Sequence, residues 1–319
     1  MILRIGTRGS RLARWQADFV RERLIEAFPD LHVDVIVIQT TGDRITDVPL
    51  AKIGDKGLFT KELDRALLAN EIDLAVHSLK DVPTMLPEGL ALGAVLERED
   101  PRDVLLPAAG APSTLAELPA GARIGTSSLR RRAQIRHLRP DLTVLDLRGN
   151  LDTRMERLRA GHFDAIVLAR AGVRRLGWED AVGDVLGPPD WLPAVGQGAL
   201  GVAVRADDEA TRTIVASLEH EDTRIATTAE RAFLRALEGG CQIPIGALAT
   251  REGDHIRLHG LVADLDGDPL FRGEASGDVR DAEAVGRSLA EDLLNRGADA
   301  VLRRIRDLGP GHLPGPSAP

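Results

Sequence analysis

The chain has 319 residues, 43% of them hydrophobic, and a formal net charge of −8 at pH 7. This length and composition predict a globular protein of two or three domains and exclude a wholly disordered one, and the negative charge argues against nonspecific nucleic-acid binding. The single cysteine excludes a disulfide framework and fits a reducing compartment. No apolar run reaches the length of a membrane span and the first residues form a short strand pattern, so we expect a cytoplasmic protein.

The first segment alternates strand and helix patterns. Strands are predicted over residues 2–5 and 33–38 with a helix over 10–26 between them, and a second helix is predicted over 56–68. A short buried strand at 74–76 then leads into the polar run His77-Ser78-Leu79-Lys80-Asp81. Alternation of this kind is typical of an α/β lobe built on a mainly parallel sheet.

The second segment repeats the first. The tetrapeptide Arg-Ile-Gly-Thr at 4–7 recurs at 123–126, and the pattern at 72–76 recurs at 163–167. Two echoes in the same order predict two similar α/β lobes that face one another across a cleft. We assign 1–97 and 198–218 to the first lobe and 101–193 to the second, because the glycine-rich segment around 193–198 leads back towards the first.

The pattern changes after about residue 220. A helix is predicted from a capping box formed by Thr227 and Glu230 up to Gly239, followed by strands near 247–250, 255–263 and 270–274. Helices over 282–295 and 298–308 complete a smaller α+β domain at 221–308, and the tail at 309–319 is expected to be disordered.

Arginines follow several predicted strands at the points where helices begin. Arg8 follows the first strand, and Arg130 and Arg131 follow the Thr126–Ser128 hydroxyls. Further predicted strands are followed by Arg148 and by Arg174 and Arg175. A helix N-terminus with nearby arginines favours an anionic ligand. Because the chain lacks a Walker loop, a dinucleotide fingerprint and metal-ligand spacing, we expect a polycarboxylate and no metal.

Two further residues are candidates for chemistry. Asp81 ends a strand beside Lys80, where a cation favours the ionised carboxylate, although a structural ion pair explains it equally well. Cys241 is predicted to lie just past a helix C-terminus, whose partial negative charge disfavours a thiolate. It is therefore either an inert core residue or an anchor that reacts once.

Three functional classes fit these patterns. They are a transferase with a covalently held group, a binding protein for an organic anion, and a thiol hydrolase, which the position of Cys241 disfavours. The binding protein would show its bare sequence mass, and the hydrolase would need a low-pKa thiol with a nearby histidine, such as His77 or His259. No extended apolar surface pattern suggests association, so we expect a monomer without nucleic-acid or membrane partners.

Segments in all three predicted domains resemble the hydroxymethylbilane synthase family, also called porphobilinogen deaminase. The matching segments are 4–16, 54–64, 73–84 (DLAVHSLKDVPT), 125–131 (GTSSLRR), 147–154, 193–201 (PAVGQGALG) and 238–246 (EGGCQIPIG). The resemblance implies two lobes like those of periplasmic binding proteins and a smaller α+β C-terminal domain. It also implies stepwise, deaminative head-to-tail condensation of four porphobilinogen molecules, followed by hydrolytic release of linear hydroxymethylbilane for haem and other tetrapyrroles.

The resemblance also implies roles for individual residues. Cys241 matches the cysteine that holds a dipyrromethane cofactor through a thioether, and Asp81 matches the catalytic aspartate. Cofactor contacts are implied for Asp81 as well, and for Ser78, Lys80, Thr126, Ser128, Arg130 and Arg131. Substrate contacts are implied for Arg8, Gln16, Lys52, Lys56, Phe59, Arg148, Arg154 and Arg175.

Overall fold

The computed structural model describes residues 2–40, 60–237 and 243–308. These residues fall into two compact units, the first with residues 2–40, 60–99 and 198–224, and the second with residues 100–197, 225–237 and 243–308. The first unit contains a five-stranded sheet, and the second contains a five-stranded and a three-stranded sheet. None of the described helices is long and apolar enough to cross a membrane.

The strands and helices of the described ranges alternate along the chain. The strands are β1 (Ile2–Thr7), β2 (His32–Val37), β3 (Leu74–Ser78), β4 (Leu90–Val95), β5 (Asp103–Pro107), β6 (Arg123–Gly125), β7 (Thr143–Leu145), β8 (Ala165–Ala169), β9 (Asp184–Leu186), β10 (Leu200–Arg205), β11 (Ile245–Glu252), β12 (His255–Ala263) and β13 (Leu270–Asp278). The helices are α1 (Arg11–Ala27), α2 (Lys61–Leu68), α3 (Leu129–Leu138), α4 (Leu151–Arg159), α5 (Arg170–Arg175), α6 (Glu209–Val215), α7 (Glu221–Ala236), α8 (Ala282–Leu293) and α9 (Asp299–Asp307).

Local sequence explains the first helix. Ser10 is the N-cap of α1 and its Oγ accepts a hydrogen bond from the Ala13 amide at 3.3 Å, which satisfies one of the free amides of the first turn. Ala17, Val20 and Leu24 recur on one face and are fully buried against the sheet. The predicted helix over 10–26 is confirmed. The helix predicted over 56–68 is observed from Lys61, and residues 56–59 lie outside the described part.

The two five-stranded sheets share one topology. The first has the order β2-β1-β3-β10-β4 and the second the order β7-β6-β8-β5-β9. In each sheet the first three strands are parallel, and the fourth runs antiparallel to both of its neighbours. The predicted α/β fold with two similar lobes is confirmed, including a return of the chain to the first sheet through β10.

The echoed tetrapeptides occupy equivalent places in the two sheets. In the first, Arg4 pairs with Asp73, with Arg4 Nη2 donating to Asp73 Oδ1 at 2.7 Å, and the Arg4 amide donating to the same carboxylate at 2.8 Å. In the second, Arg123 pairs with Asp164 through the same atoms, at 2.9 and 2.7 Å. In both lobes the ion pair joins the residue before the central strand, β3 or β8, to the parallel strand beside it, β1 or β6.

A glycine permits close packing on β1 of the first sheet. A Cβ atom on Gly6 would lie 2.2 Å from Ile72 Cδ1 and 3.0 Å from Leu63 Cδ2. Both neighbours are fully buried, so little space exists for a larger residue. The same position of the second sheet, Gly125, approaches Phe163.

The C-terminal α+β domain contains the three-stranded antiparallel sheet β11-β12-β13, as predicted. Helices α7 and α8 cover one face, where Phe233 and Leu289 are buried. On the other face, Leu248 and Leu261 pack against Leu192 and against Ala133 of α3. The domain is therefore joined to the second lobe by an apolar contact within the second unit.

The predicted capping box at Thr227 is wrong. Helix α7 begins at Glu221, six residues earlier, and Glu230 is fully buried in its interior. Glu230 Oε2 accepts a hydrogen bond from the Gly196 amide at 2.7 Å, and Oε1 accepts one from the Ala249 amide at 2.9 Å. The carboxylate joins α7 to the glycine-rich segment and to β11.

Candidate active site

A single helical turn presents Asp81 at the end of β3. Leu79 and Val82 are buried with Val95, and the Leu79 amide donates to the Ala199 carbonyl at 2.9 Å. Because Leu79 and Val82 anchor the turn on both sides, the side chains between them remain half-exposed. These are Lys80 and Asp81. The predicted position of Asp81 at a strand end is therefore confirmed.

Other predicted residues of the first unit lie at the same edge of the first sheet. Gln16, on the buried face of α1, donates through Nε2 to Ser78 Oγ at 2.9 Å. Arg8 follows β1, the strand that pairs in parallel with β3, and is half-exposed. The carboxyl ends of two adjacent parallel strands thus carry Arg8, Ser78 and the turn with Asp81.

His77 is a buried histidine within this polar run. Its Nε2 has no hydrogen-bond partner among the described residues. Burial and, to a smaller extent, the positive charge of Arg8 together lower the pKa of His77 to about 4. His77 is therefore neutral near pH 7. The sequence analysis considered His77 only as a histidine that could lie near Cys241 in space. Cys241 lies outside the described residues.

The hydroxyls of the second unit are engaged in local turns. Ser128 is the N-cap of α3, with its Oγ accepting from the Arg131 amide at 3.5 Å. The Thr126 Oγ1 accepts from the Ser128 amide at 3.2 Å, and the Ser127 Oγ accepts from the Leu147 amide at 3.0 Å. These bonds fix the connection from β6 to α3 and hold the first turn of the helix against the start of the next connection.

Arg130 and Arg131 are buried and share one carboxylate. Asp103 at the start of β5 is fully buried and accepts from Arg130 Nη1 at 2.7 Å and from Arg131 Nη2 at 2.7 Å. Trp191 Nε1 and Gln197 Nε2 also donate to it, at 2.7 and 2.8 Å. Although burial alone would raise it, the pKa of Asp103 is far below its usual range because the charges of Arg130 and Arg131, and the hydrogen bonds that these two side chains donate, favour the anion.

The remaining arginines of the second unit differ in position. Arg148 is buried between β7 and α4, and Arg154 donates through Nε to the Gly149 carbonyl at 2.9 Å. Arg175 is half-exposed in the last turn of α5. The sequence placed Arg174 and Arg175 directly after a strand, but α5 separates them from β8. They therefore do not lie at a helix N-terminus.

Four predicted site residues lie outside the described part of the chain, namely Lys52, Lys56, Phe59 and Cys241. Conversely, sequence reasoning did not identify Asp103, or Trp191 and Gln197, which donate hydrogen bonds to its carboxylate. The one local signal that could have pointed to Asp103 is its position as a charged residue at the start of the apolar run Asp103-Val104-Leu105-Leu106. Such a residue is buried only when it is paired.

The described residues fit a polyanionic group. Two buried guanidiniums share a single buried carboxylate, and Arg130 Nε has no hydrogen-bond partner within the described ranges. An excess positive charge with an unsatisfied donor is what a carboxylate-bearing ligand would compensate.

Two family models together match most of this chain. Residues 3–213 match the family described as "Porphobilinogen deaminase, dipyromethane cofactor binding domain", and residues 224–295 match "Porphobilinogen deaminase, C-terminal domain". The crystal structure of the methionine-binding protein MetQ aligns with a TM-score of 0.45 at 10% identity, over 70% of this chain and 92% of that chain.

Full-length relatives agree with the family match. The porphobilinogen deaminase of Syntrophobacter fumaroxidans is 51% identical over 304 residues, which cover 95% of this chain and 98% of that protein. The porphobilinogen deaminase of Moorella thermoacetica is 53% identical over 304 residues, covering 95% and 96% respectively. The chain is therefore an enzyme of the porphobilinogen deaminase family, with that family's dipyrromethane cofactor-binding domain.

Proposed function

We propose that the chain condenses four porphobilinogen molecules head to tail, with loss of ammonia, and releases hydroxymethylbilane by hydrolysis. The single observation that carries the proposal is the buried excess of positive charge at Asp103, Arg130 and Arg131, because each pyrrole unit brings two carboxylates that need a counter-charge. The dipyrromethane group supplies the pyrrole terminus onto which the chain grows, and we propose that Cys241 holds it as a thioether.

The residues of the first unit have distinct proposed roles. Asp81 stabilises the positive charge that develops as ammonia leaves the incoming substrate and accepts a hydrogen bond from a pyrrole N–H. Ser78 and Lys80 bind the cofactor next to it. Gln16 and Arg8 bind the substrate, and the hydrogen bond from Gln16 to Ser78 keeps both side chains oriented. We propose substrate contacts for Lys52, Lys56 and Phe59 from the family resemblance alone.

The residues of the second unit bind carboxylates in this proposal. Arg130 and Arg131, with the hydroxyls of Thr126 and Ser128, bind the cofactor's acetate and propionate groups. Arg148, Arg154 and Arg175 bind those of the substrate and growing chain. The support for these roles, apart from that of Arg175, is the positive charge that the connections after β6 and β7 concentrate at one edge of the second sheet. We propose the role of Arg175 from the family resemblance alone.

The experiment that tests this function is an Asp81→Asn variant of the holoenzyme. We expect the covalent adduct to remain and product formation to fall by about 100-fold or more, because the carboxylate acts on the reacting substrate. Asp18→Asn is the matched control, since Asp18 pairs only with Arg21 on the surface of α1 in the described structure. Normal turnover in Asp81→Asn would contradict the role of Asp81.

We also propose three domains with the limits given above, since each of the three sheets has its own apolar core. The chain acts as a monomer in the cytoplasm in this proposal, for which the single cysteine and the lack of an extended apolar surface pattern are the support. Light scattering that gives twice the chain mass would contradict the monomer.

A further inference from the structure

Asp103 accepts hydrogen bonds from both arginines that follow β6, but the two arginines are bound differently. All three side-chain nitrogens of Arg131 donate hydrogen bonds. Nε and Nη2 donate to Asp103 Oδ1 at 3.2 and 2.7 Å, and Nη1 donates to the Val167 carbonyl at 2.8 Å. Arg130 uses only Nη1, which donates to Asp103 Oδ2 at 2.7 Å and to the Leu192 carbonyl at 2.8 Å. The two side chains are thus bound unequally.

The unequal bonding leaves one side of Arg130 available. Its Nε–H is buried without a hydrogen-bond partner among the described residues. Its Nη2 donates no hydrogen bond to a described residue either. Nε and Nη2 together form the planar fork that binds a carboxylate through two parallel hydrogen bonds. The orientation of this fork depends on the bonds that Nη1 makes on the opposite side.

Asp103 is itself held by neutral donors. Trp191 Nε1 binds Oδ2 and Gln197 Nε2 binds Oδ1, at 2.7 and 2.8 Å. Trp191 is 2% exposed and packs in the core of the second lobe. Because these donors bring no charge, they fix the carboxylate without reducing the attraction it exerts on the arginines.

We propose that Asp103 is a positioning residue that holds Arg130 and Arg131 so that the Nε/Nη2 side of Arg130 is ready to bind a carboxylate of the pyrrole ligand. The proposal rests on the proposed function. Asp103 touches neither substrate nor cofactor in this account, and acts through the two guanidiniums. Preorganisation of this kind strengthens binding because a mobile arginine would lose conformational entropy on binding.

The test measures how the apoprotein acquires its covalent group. Apoprotein is made in a host unable to form porphobilinogen, mixed with increasing porphobilinogen, and followed by intact mass. The two readouts are the porphobilinogen concentration that gives half-maximal loading and the maximal loading rate. The variants are Asp103→Asn, which keeps the shape and removes the charge, and the control Asp164→Asn, which breaks the ion pair with Arg123 in the same lobe.

The direction of the change separates three roles. Positioning predicts that Asp103→Asn raises the half-maximal concentration by about tenfold or more, with a smaller change in maximal rate, because the arginines lose a charge-assisted anchor. A role through charge alone predicts a lower concentration, since loss of a negative charge favours anion binding. A role in folding alone predicts that the folded Asp103→Asn protein has the same half-maximal concentration as the wild type. Either of the last two outcomes overturns the proposal.

A second pair of variants covers the case in which Asp103→Asn does not fold. Arg131→Met leaves one guanidinium and one carboxylate, and Asp103→Asn combined with Arg131→Met leaves one uncompensated buried guanidinium where Asp103→Asn alone leaves two. The double variant should need about tenfold more porphobilinogen than Arg131→Met alone. Equal loading of the two would overturn the proposal. Failure of the wild type to load would instead contradict the proposed function.

Discussion

The neutral buried state of His77 predicts a specific dependence of stability on pH. In the folded chain the pKa of His77 is about 4, because the ring is buried and Arg8 is nearby. In the unfolded chain its pKa returns to about 6.5. Between these values the unfolded state binds more protons than the folded state, so stability falls as the pH falls from about 6.5 to 4.

The size of the effect follows from the two pKa values. Between pH 7 and pH 5, the protonation of His77 in the unfolded state removes about 2 kcal/mol of folding stability. His77→Gln cannot be protonated and lacks this contribution. We therefore expect the wild type to lose about 2 kcal/mol more than His77→Gln over this pH interval.

Hydrogen–deuterium exchange of β3 measures this difference directly. The free energy of opening of the Leu74–Ser78 amides, corrected for the intrinsic pH dependence of exchange, is compared between pH 7 and pH 5 in both proteins. His32→Gln is the control, because His32 is exposed at the start of β2. The same pH dependence of β3 opening in the wild type and in His77→Gln would refute the assignment of His77 as a buried neutral group.

Two further predictions concern packing and buried hydrogen bonds. Gly6→Ala should destabilise the first unit by about 1–3 kcal/mol, because its Cβ would overlap Ile72 Cδ1. Ile72→Val removes that atom, so Gly6→Ala should cost much less stability in the Ile72→Val background, as measured by thermal unfolding. An equal loss in both backgrounds would contradict this. Glu230→Gln should cost about 1–3 kcal/mol, because an amide cannot accept both backbone hydrogen bonds, and should speed exchange of the Gly196 and Ala249 amides. Unchanged exchange of these amides would refute it.

The general architecture could be predicted because local patterns repeat. The echo of Arg-Ile-Gly-Thr carries a real equivalence, since Arg4 and Arg123 form the same ion pair with an aspartate of the adjacent strand. Strands β12 and β13 and helix α8 also follow from alternation and helical spacing. These signals reside within a few residues of one another, where sequence reasoning is most reliable.

Contacts between distant residues could not be predicted. Asp103 lies 27 residues before Arg130, 88 before Trp191 and 94 before Gln197, so no local pattern relates them. The arginines alone indicated an anionic ligand, and the structure adds that a buried carboxylate of the protein already engages them. The error at Thr227 has a similar cause, since the capping-box spacing is met by chance while the Glu230 partners lie 34 and 19 residues away.

The central claim is that Cys241 carries a pyrrole group on which the product grows. Intact-protein mass spectrometry of the purified holoenzyme and of Cys241→Ala tests it most directly. We expect the wild type to exceed its sequence mass by the mass of a dipyrromethane group, and Cys241→Ala to have its bare sequence mass. A wild-type protein at its bare sequence mass after exposure to porphobilinogen, or an adduct that persists in Cys241→Ala, would contradict the account.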